Sequence, residues 1–210
     1  MIYIIGDSHS CAFTYSNFNE YIFNTYTPKQ KGIFTSIRTE PFTIYNINDK
    51  IDRITNNIIN KLSINQNDFI FFCYGEVDVR CHIGFISDKN AIPINDICKN
   101  ISERYISFLL KMKKIHKNIG IYGPIPSGPS NQIQGNERPS YKTQLERNKI
   151  TKILNKCIET DCINNDIIFK NIDNIENDFY IQKTTSGTED LTHLSSKIQP
   201  ILTEIFSDLI

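Results

Sequence analysis

Apolar residues in this 210-residue chain keep two rhythms. In four places they run on almost unbroken: Ile2-Tyr3-Ile4-Ile5, Asp68-Phe69-Ile70-Phe71-Phe72-Cys73-Tyr74, Ile119-Gly120-Ile121-Tyr122 and Ile167-Ile168-Phe169. Short continuous runs rich in β-branched and aromatic residues predict strands buried on both faces, as in a parallel sheet. The first three stop at a glycine, Gly6, Gly75 and Gly123. A weaker run, Phe42-Thr43-Ile44-Tyr45, is a further candidate strand.

Between these runs the period changes to that of a helix. Asp49 to Leu62 places Ile51, Ile54, Ile58 and Leu62 on one face, and Asn95 to Lys114 does the same with Ile97, Ile101, Tyr105, Phe108, Leu109 and Met112. Tyr141 to Glu159 carries Leu145, Ile150, Ile153, Leu154 and Cys157, and a last helix is expected from Ser195 to Ile210. Strands alternating with helices at these lengths predict a single α/β domain over residues 1–210. The expected architecture is three layers, a doubly wound and mostly parallel sheet of about five strands with helices on both faces. Ligands of such sheets bind beyond the carboxyl ends of the strands, so the loops there are where chemistry is expected. Pro124 to Ser140, rich in proline and glycine, reads as a long surface loop over that edge.

Composition narrows the partners. With 23 basic and 23 acidic residues the formal net charge is zero, and neither nucleic acid nor an anionic membrane surface is the expected partner. A small-molecule or glycan ester substrate fits better. The six cysteines show no Cys-x-x-Cys pair or other zinc-ligand spacing, and no metal or cofactor is called for. The opening run Met1–Ile5 is too short for a signal-peptide core, and no apolar stretch reaches bilayer length. A cytoplasmic protein with reduced thiols is expected.

Polar residues stand out at the strand ends. Gly6-Asp7-Ser8-His9-Ser10 follows the first strand. A serine on a tight strand-to-helix turn presents its hydroxyl at the sheet edge, with its own amide available to a developing oxyanion. Asp or Ser in this place also serves as an ordinary helix cap. Asp190-Leu191-Thr192-His193 precedes the last helix. A carboxylate three residues before a histidine can hold Nδ1 and leave Nε2 to accept a serine proton, though Asp190 can equally cap the helix. After the second strong strand stands Gly75-Glu76-Val77-Asp78-Val79-Arg80-Cys81-His82. Charged groups emerging from an apolar strand must pair internally or meet a ligand.

In order and spacing, Gly6-Asp7-Ser8 near the start and Asp190 with His193 near the end resemble the SGNH, or GDSL-type, hydrolase family, over nearly the whole chain. The resemblance implies Ser8 as nucleophile, His193 as base and Asp190 as its orienter. It also implies oxyanion donors from the Ser8 amide, from a glycine after the second strand and from an asparagine in a Gly-x-Asn-Asp block. Gly32 is the candidate glycine, being the only one between Gly6 and Gly75. Val77 stands where the asparagine is expected and cannot donate, which leaves Arg80, and beside it His82, as replacement donors. His9, Glu76, Asp78 and His82 are the candidate substrate-binding residues. The Gly-Glu-Val-Asp-Val-Arg form resembles a variant branch associated with polysaccharide-related proteins.

The implied activity is that of a serine-dependent ester hydrolase or acyltransferase on O-acyl, specifically acetyl, groups of a carbohydrate. Val77 keeps open a non-catalytic carbohydrate-binding protein on the same fold. A general lipase or esterase is a third reading.

Overall fold

The structure is a computed structural model that describes residues 1–15, 26–129, 140–181 and 191–210. These residues form a six-stranded sheet of β1 (Ile2–Gly6), β2 (Pro28–Lys31), β3 (Phe34–Arg38), β4 (Phe69–Cys73), β5 (Ile119–Tyr122) and β6 (Ile168–Lys170). Their order is β2-β3-β1-β4-β5-β6, with β2–β3 antiparallel and every other neighbour parallel. The chain leaves β1 for β3 on one side and later crosses to β4 on the other. The carboxyl end of β1 is therefore the topological switch point, where such sheets open a crevice.

The unbroken apolar runs follow from burial on both faces. Ile5, Ile70, Phe72, Ile119 and Ile121 point into one core, and Ile2, Ile4, Phe71, Cys73 and Tyr122 into the other. The first core is covered by α1 (Ile51–Ile54), which continues as a π-helical stretch over Thr55–Asn60, and by α3 (Ile94–Lys113) and α4 (Gln144–Asn164). A π-helical turn over Asp78–Ile83 leads into α2 (Gly84–Asn90) between β4 and α3. The second core is covered by a 3₁₀ turn over Ser8–Phe13 and by the C-terminal segment, in which α5 (Gln199–Ile205) is flanked by 3₁₀ turns at Ser196–Ile198 and Ser207–Leu209. The architecture is the expected α/β one, with helices on both faces.

Three expectations are corrected. Phe42–Tyr45 is no strand: Thr43 caps a 3₁₀ helix over Ile44–Lys50, with reciprocal Thr43–Asn46 capping bonds. The strand beside β1 is instead β3, Phe-Thr-Ser-Ile-Arg, whose Thr35 and Ser36 obscure its buried character. Ser36 is completely buried because its hydroxyl bonds that of Thr14. The hairpin partner β2, Pro-Lys-Gln-Lys, is an exposed, lysine-bearing edge, as a blunted sheet edge should be. Finally, the described part of the proline-rich loop, residues 124–129, is largely buried rather than superficial. Asn155 Nδ2 donates to Pro124 O, Asn148 Oδ1 accepts from Ser127 N, and Arg147 donates to Gly128 O, so α4 fastens this segment down. Residues 130–139 of that loop lie outside the described residues.

Phe206 locks the C-terminal segment to the sheet. Its ring stacks edge-on against Phe71 at 4.8 Å, Phe34 at 5.5 Å and Phe13 at 5.7 Å, bringing together β4, β3 and the turn that holds Ser8. Truncating such a fully buried ring loses transfer energy and leaves a cavity. Phe206→Ala is expected to lower the unfolding free energy by about 3–5 kcal/mol in urea titrations. Leu145→Ala, at an exposed position, should stay within about 0.5 kcal/mol of the parent.

Candidate active site

β1 ends against β4 at unusually close range. A Cβ on Gly6 would lie 2.2 Å from Cys73 O, so only glycine fits there. Asp7 N then donates to Cys73 O at 3.3 Å, and Asp7, in extended conformation, caps the Ser8–Phe13 turn by accepting from His9 N at 2.9 Å. Asp7 is buried and spent on this cap, leaving Ser8 half-exposed at the turn's first position. An amide at that position has no acceptor within its own helix.

His193 reaches Ser8 from the far end of the chain. Its segment is held as an antiparallel bridge: Ile181 N donates to His193 O, Leu191 N to Ile181 O and Ser195 N to Phe179 O. Buried Tyr180 and Leu194 face each other across the bridge. The result places His193 Nε2 2.7 Å from Ser8 Oγ, within hydrogen-bond distance. Asp190 lies outside the described residues.

Behind this pair sits a buried charged chain. The His9 ring stacks on the His193 ring, with centroids 5.0 Å apart and planes inclined by 25°. His9 Nε2 is 3.4 Å from Glu76 Oε2, and Arg80 Nε donates to Glu76 Oε1 at 2.7 Å. Burial opposes ionisation of Glu76, yet Arg80 and His9 together hold its carboxyl well below the usual carboxylate range. Burial likewise opposes a charge on His9, but its hydrogen bond and proximity to Glu76 prevail and raise its pKa. The Asp7 carboxyl is pushed up by burial, against the pull of His9.

The predicted site residues therefore divide. Ser8, His193, His9, Glu76 and Arg80 form one connected group. Arg80 is engaged with Glu76 through Nε, the internal pair that a charged block emerging from a strand requires. Gly32 belongs elsewhere and is corrected as an oxyanion donor. It turns the β2–β3 hairpin at a φ of +58°, next to the residues that pair with the start of β1, whereas Ser8 follows the end of β1. Asp78 and His82 point away, into a cavity of about 490 Å³ shared with Thr43, Tyr45, Ile86 and Ile97. Asp78 Oδ2 accepts from Ile44 N at 2.8 Å and so ties the helix after β4 to the helix after β3. Val77 is buried at the start of the Asp78–Ile83 turn, and its side chain offers no donor.

Sequence reasoning missed two supports of the site: the 179–181 segment that holds His193, and Arg147. The Arg147 side chain is fully buried and donates to Lys142 O and Gly128 O, bracing the loop after β5. An arginine in an amphipathic helix is ordinarily read as solvated, so no signal marked it. Among the described residues no group of His, Cys, Asp or Glu is arranged to hold a metal ion, and no helix is long and apolar enough to cross a membrane.

Compared by sequence, the chain matches no family model and no curated protein. Compared by structure, it is similar to a catalytic mutant of Axe2, an acetylxylan esterase from Geobacillus stearothermophilus, with a TM-score of 0.56 and 13% identity over 99% of this chain and 92% of the other. It is similar to phospholipase A1 from Streptomyces albidoflavus, with a TM-score of 0.57 and 12% identity over 97% and 98%. A third is Est24, a carbohydrate acetylesterase from Sinorhizobium meliloti, with a TM-score of 0.54 and 12% identity over 100% and 99%. The likeness is one of fold: a mostly parallel α/β sheet flanked by helices. Ser8 and His193 meet at the carboxyl end of β1, and the likeness to Est24 extends over the whole chain.

Asp78 carries a stability signature. Burial raises its pKa to about 7 despite the opposing amides of Ile44 and Tyr45, against an ordinary value of 3.8. Between these values the folded protein binds more protons than the unfolded chain. The contribution is therefore fully present at low pH and lost as pH rises through about 7. Wild-type unfolding free energy should carry a downward component of up to about 1.4 kcal/mol per pH unit across that window. Urea titrations at several pH values between 4 and 8 should show that Asp78→Asn, which keeps an acceptor for Ile44 N, lacks this component.

Proposed function

We propose that this protein is a serine-dependent ester hydrolase or O-acyltransferase that acts on O-acetyl groups of a carbohydrate. The observation that carries the reading is the 2.7 Å separation of Ser8 Oγ and His193 Nε2, joined from opposite ends of the chain at the switch point of the sheet.

In this reading His193 Nε2 removes the hydroxyl proton as Ser8 Oγ attacks the ester carbonyl. The tetrahedral oxyanion takes a hydrogen bond from the Ser8 amide. Collapse breaks the bond to the sugar oxygen, which leaves with the proton returned by His193, and the acetyl group remains on Ser8. Water, deprotonated by His193, then releases acetate; a sugar hydroxyl in its place completes transfer. Asp190 is assigned as the carboxylate that orients His193, from its place in the Asp-x-x-His motif. The preference for acetylated carbohydrate rests on the charge-neutral chain and on similar structures described as an acetylxylan esterase and a carbohydrate acetylesterase. The proximity of Ser8 and His193 favours this reading over a binding-only protein, which has no need to bring a hydroxyl and an imidazole together.

A fluorophosphonate probe should label wild-type protein on Ser8, and acetate should be released from acetylated xylo-oligosaccharides. Ser8→Ala and His193→Ala should each lower kcat by roughly 10³-fold or more, a loss of the size seen when a triad member is removed. Equal acetate release by wild type and Ser8→Ala would overturn the assignment.

A further inference from the structure

We propose that His9 is a positioning residue for His193: its ring, held from behind by Glu76 and Arg80, fixes the plane of the His193 imidazole so that Nε2 stays aimed at Ser8 Oγ. The inference rests on the Ser8–His193 reading and adds a group to which neither motif points.

The argument begins with geometry. His9 follows the nucleophile on the same 3₁₀ turn, and its amide is anchored by the Asp7 cap. Ser8 and His9 therefore project from adjacent positions of one rigid turn. His9 is only 3% exposed, and its ring lies 5.0 Å from that of His193 at an inclination of 25°. It forms a wall along one face of the base. Rotation of His193 about its side-chain bonds would drive its ring into this wall, so the wall limits the imidazole to orientations near the one that faces Ser8.

A buried imidazole can serve as a wall only if its own ring is held. Glu76 Oε2 stands at 3.4 Å from His9 Nε2, and Glu76 is in turn fixed by Arg80 at 2.7 Å on the next turn of the same helix. The chain thus runs Arg80, Glu76, His9, His193, Ser8, alternating fixed charge with stacked rings. Glu76 is itself buried and ionised, so it needs positive partners, and His9 is one of them.

The electrostatic consequence follows from the same placement. The ionisable groups facing His9 are Asp7 on its own turn, Glu76 and Arg80 on the helix after β4, and His193 across the stack. The carboxylates of Asp7 and Glu76 favour the imidazolium form of His9. An imidazolium at His9 is bound to Glu76 by charge as well as by its hydrogen bond, which stiffens the wall that His193 packs against.

The test pairs His9→Ala, which removes the wall, with His9→Phe, which restores a ring against His193. Two readouts are followed at one fixed pH: the second-order rate of Ser8 labelling by a fluorophosphonate, and kcat and KM for acetate release from acetylated xylo-oligosaccharides. His9→Ala should lower the labelling rate and kcat by roughly ten- to a hundredfold, the scale of a misplaced catalytic group, with KM little changed. His9→Phe should recover most of that loss. A His9→Ala rate equal to wild type, or a His9→Phe rate no better than that of His9→Ala, overturns the proposal. If wild-type Ser8 takes no label, the hydrolase reading fails, and NMR relaxation of the His193 ring still decides the role of His9: greater ring mobility in His9→Ala than in wild type and His9→Phe supports it, and equal mobility overturns it.

Discussion

The site depends on the close approach of two backbones. At the end of β1, Gly6 lies so near the carbonyl of Cys73 that no side chain fits. That contact brings the ends of β1 and β4 together, and both chains must turn there. One turns through Asp7 into the Ser8 helix, the other through Gly75, at a φ of +113°, into the helix of Glu76 and Arg80. Ser8 and Glu76 come to share one site because their strands are neighbours whose ends coincide in register. Neither position depends on a flexible loop.

Charge at this junction is managed by a division of labour between neighbouring acids. Asp7 serves the backbone as a helix cap, Glu76 holds Arg80 and His9, and Asp78 secures the helix after β3 through Ile44 N. All three are buried, and their environments push them in different directions. Glu76 is held ionised by its cationic partners, while Asp78, buried and within reach of the Asp7 charge, is drawn toward the neutral acid near pH 7 despite the backbone amides it accepts from. Buried charge is tolerated where a partner of opposite sign is fixed beside it, and is otherwise neutralised.

Much of this was legible in the chain. The runs at Ile2–Ile5, Phe69–Cys73 and Ile119–Tyr122 read as buried strands because both of their faces are covered, which demands continuous apolar character. Ser8 and His193 were legible because each sits in a compact motif at an element boundary. β3 was hidden because two of its residues are polar; Ser36 satisfies its hydroxyl with Thr14, a partner that no local pattern reveals. Gly32 drew attention as the only glycine in its region, yet a turn glycine can stand at either end of a strand, and the register put it at the end away from Ser8.

Local order and periodicity thus determined the α/β class and the helices over Asn95–Lys114 and Tyr141–Glu159 to within a few residues, while the pairing of an early serine with a late histidine came from the resemblance of their two motifs to the SGNH pattern. These properties are written in neighbouring residues, and neighbours are what a sequence displays. Tertiary structure alone decided that His9 stacks on His193, that Glu76 rather than Asp78 faces them, and that Asp78 and His82 open onto a separate cavity. Those outcomes hang on helix phase and strand register, where a shift of one residue turns a side chain from one face to the other. For Ser8, the motif named the atom, and a fold spanning a sequence separation of 185 set the 2.7 Å to its base.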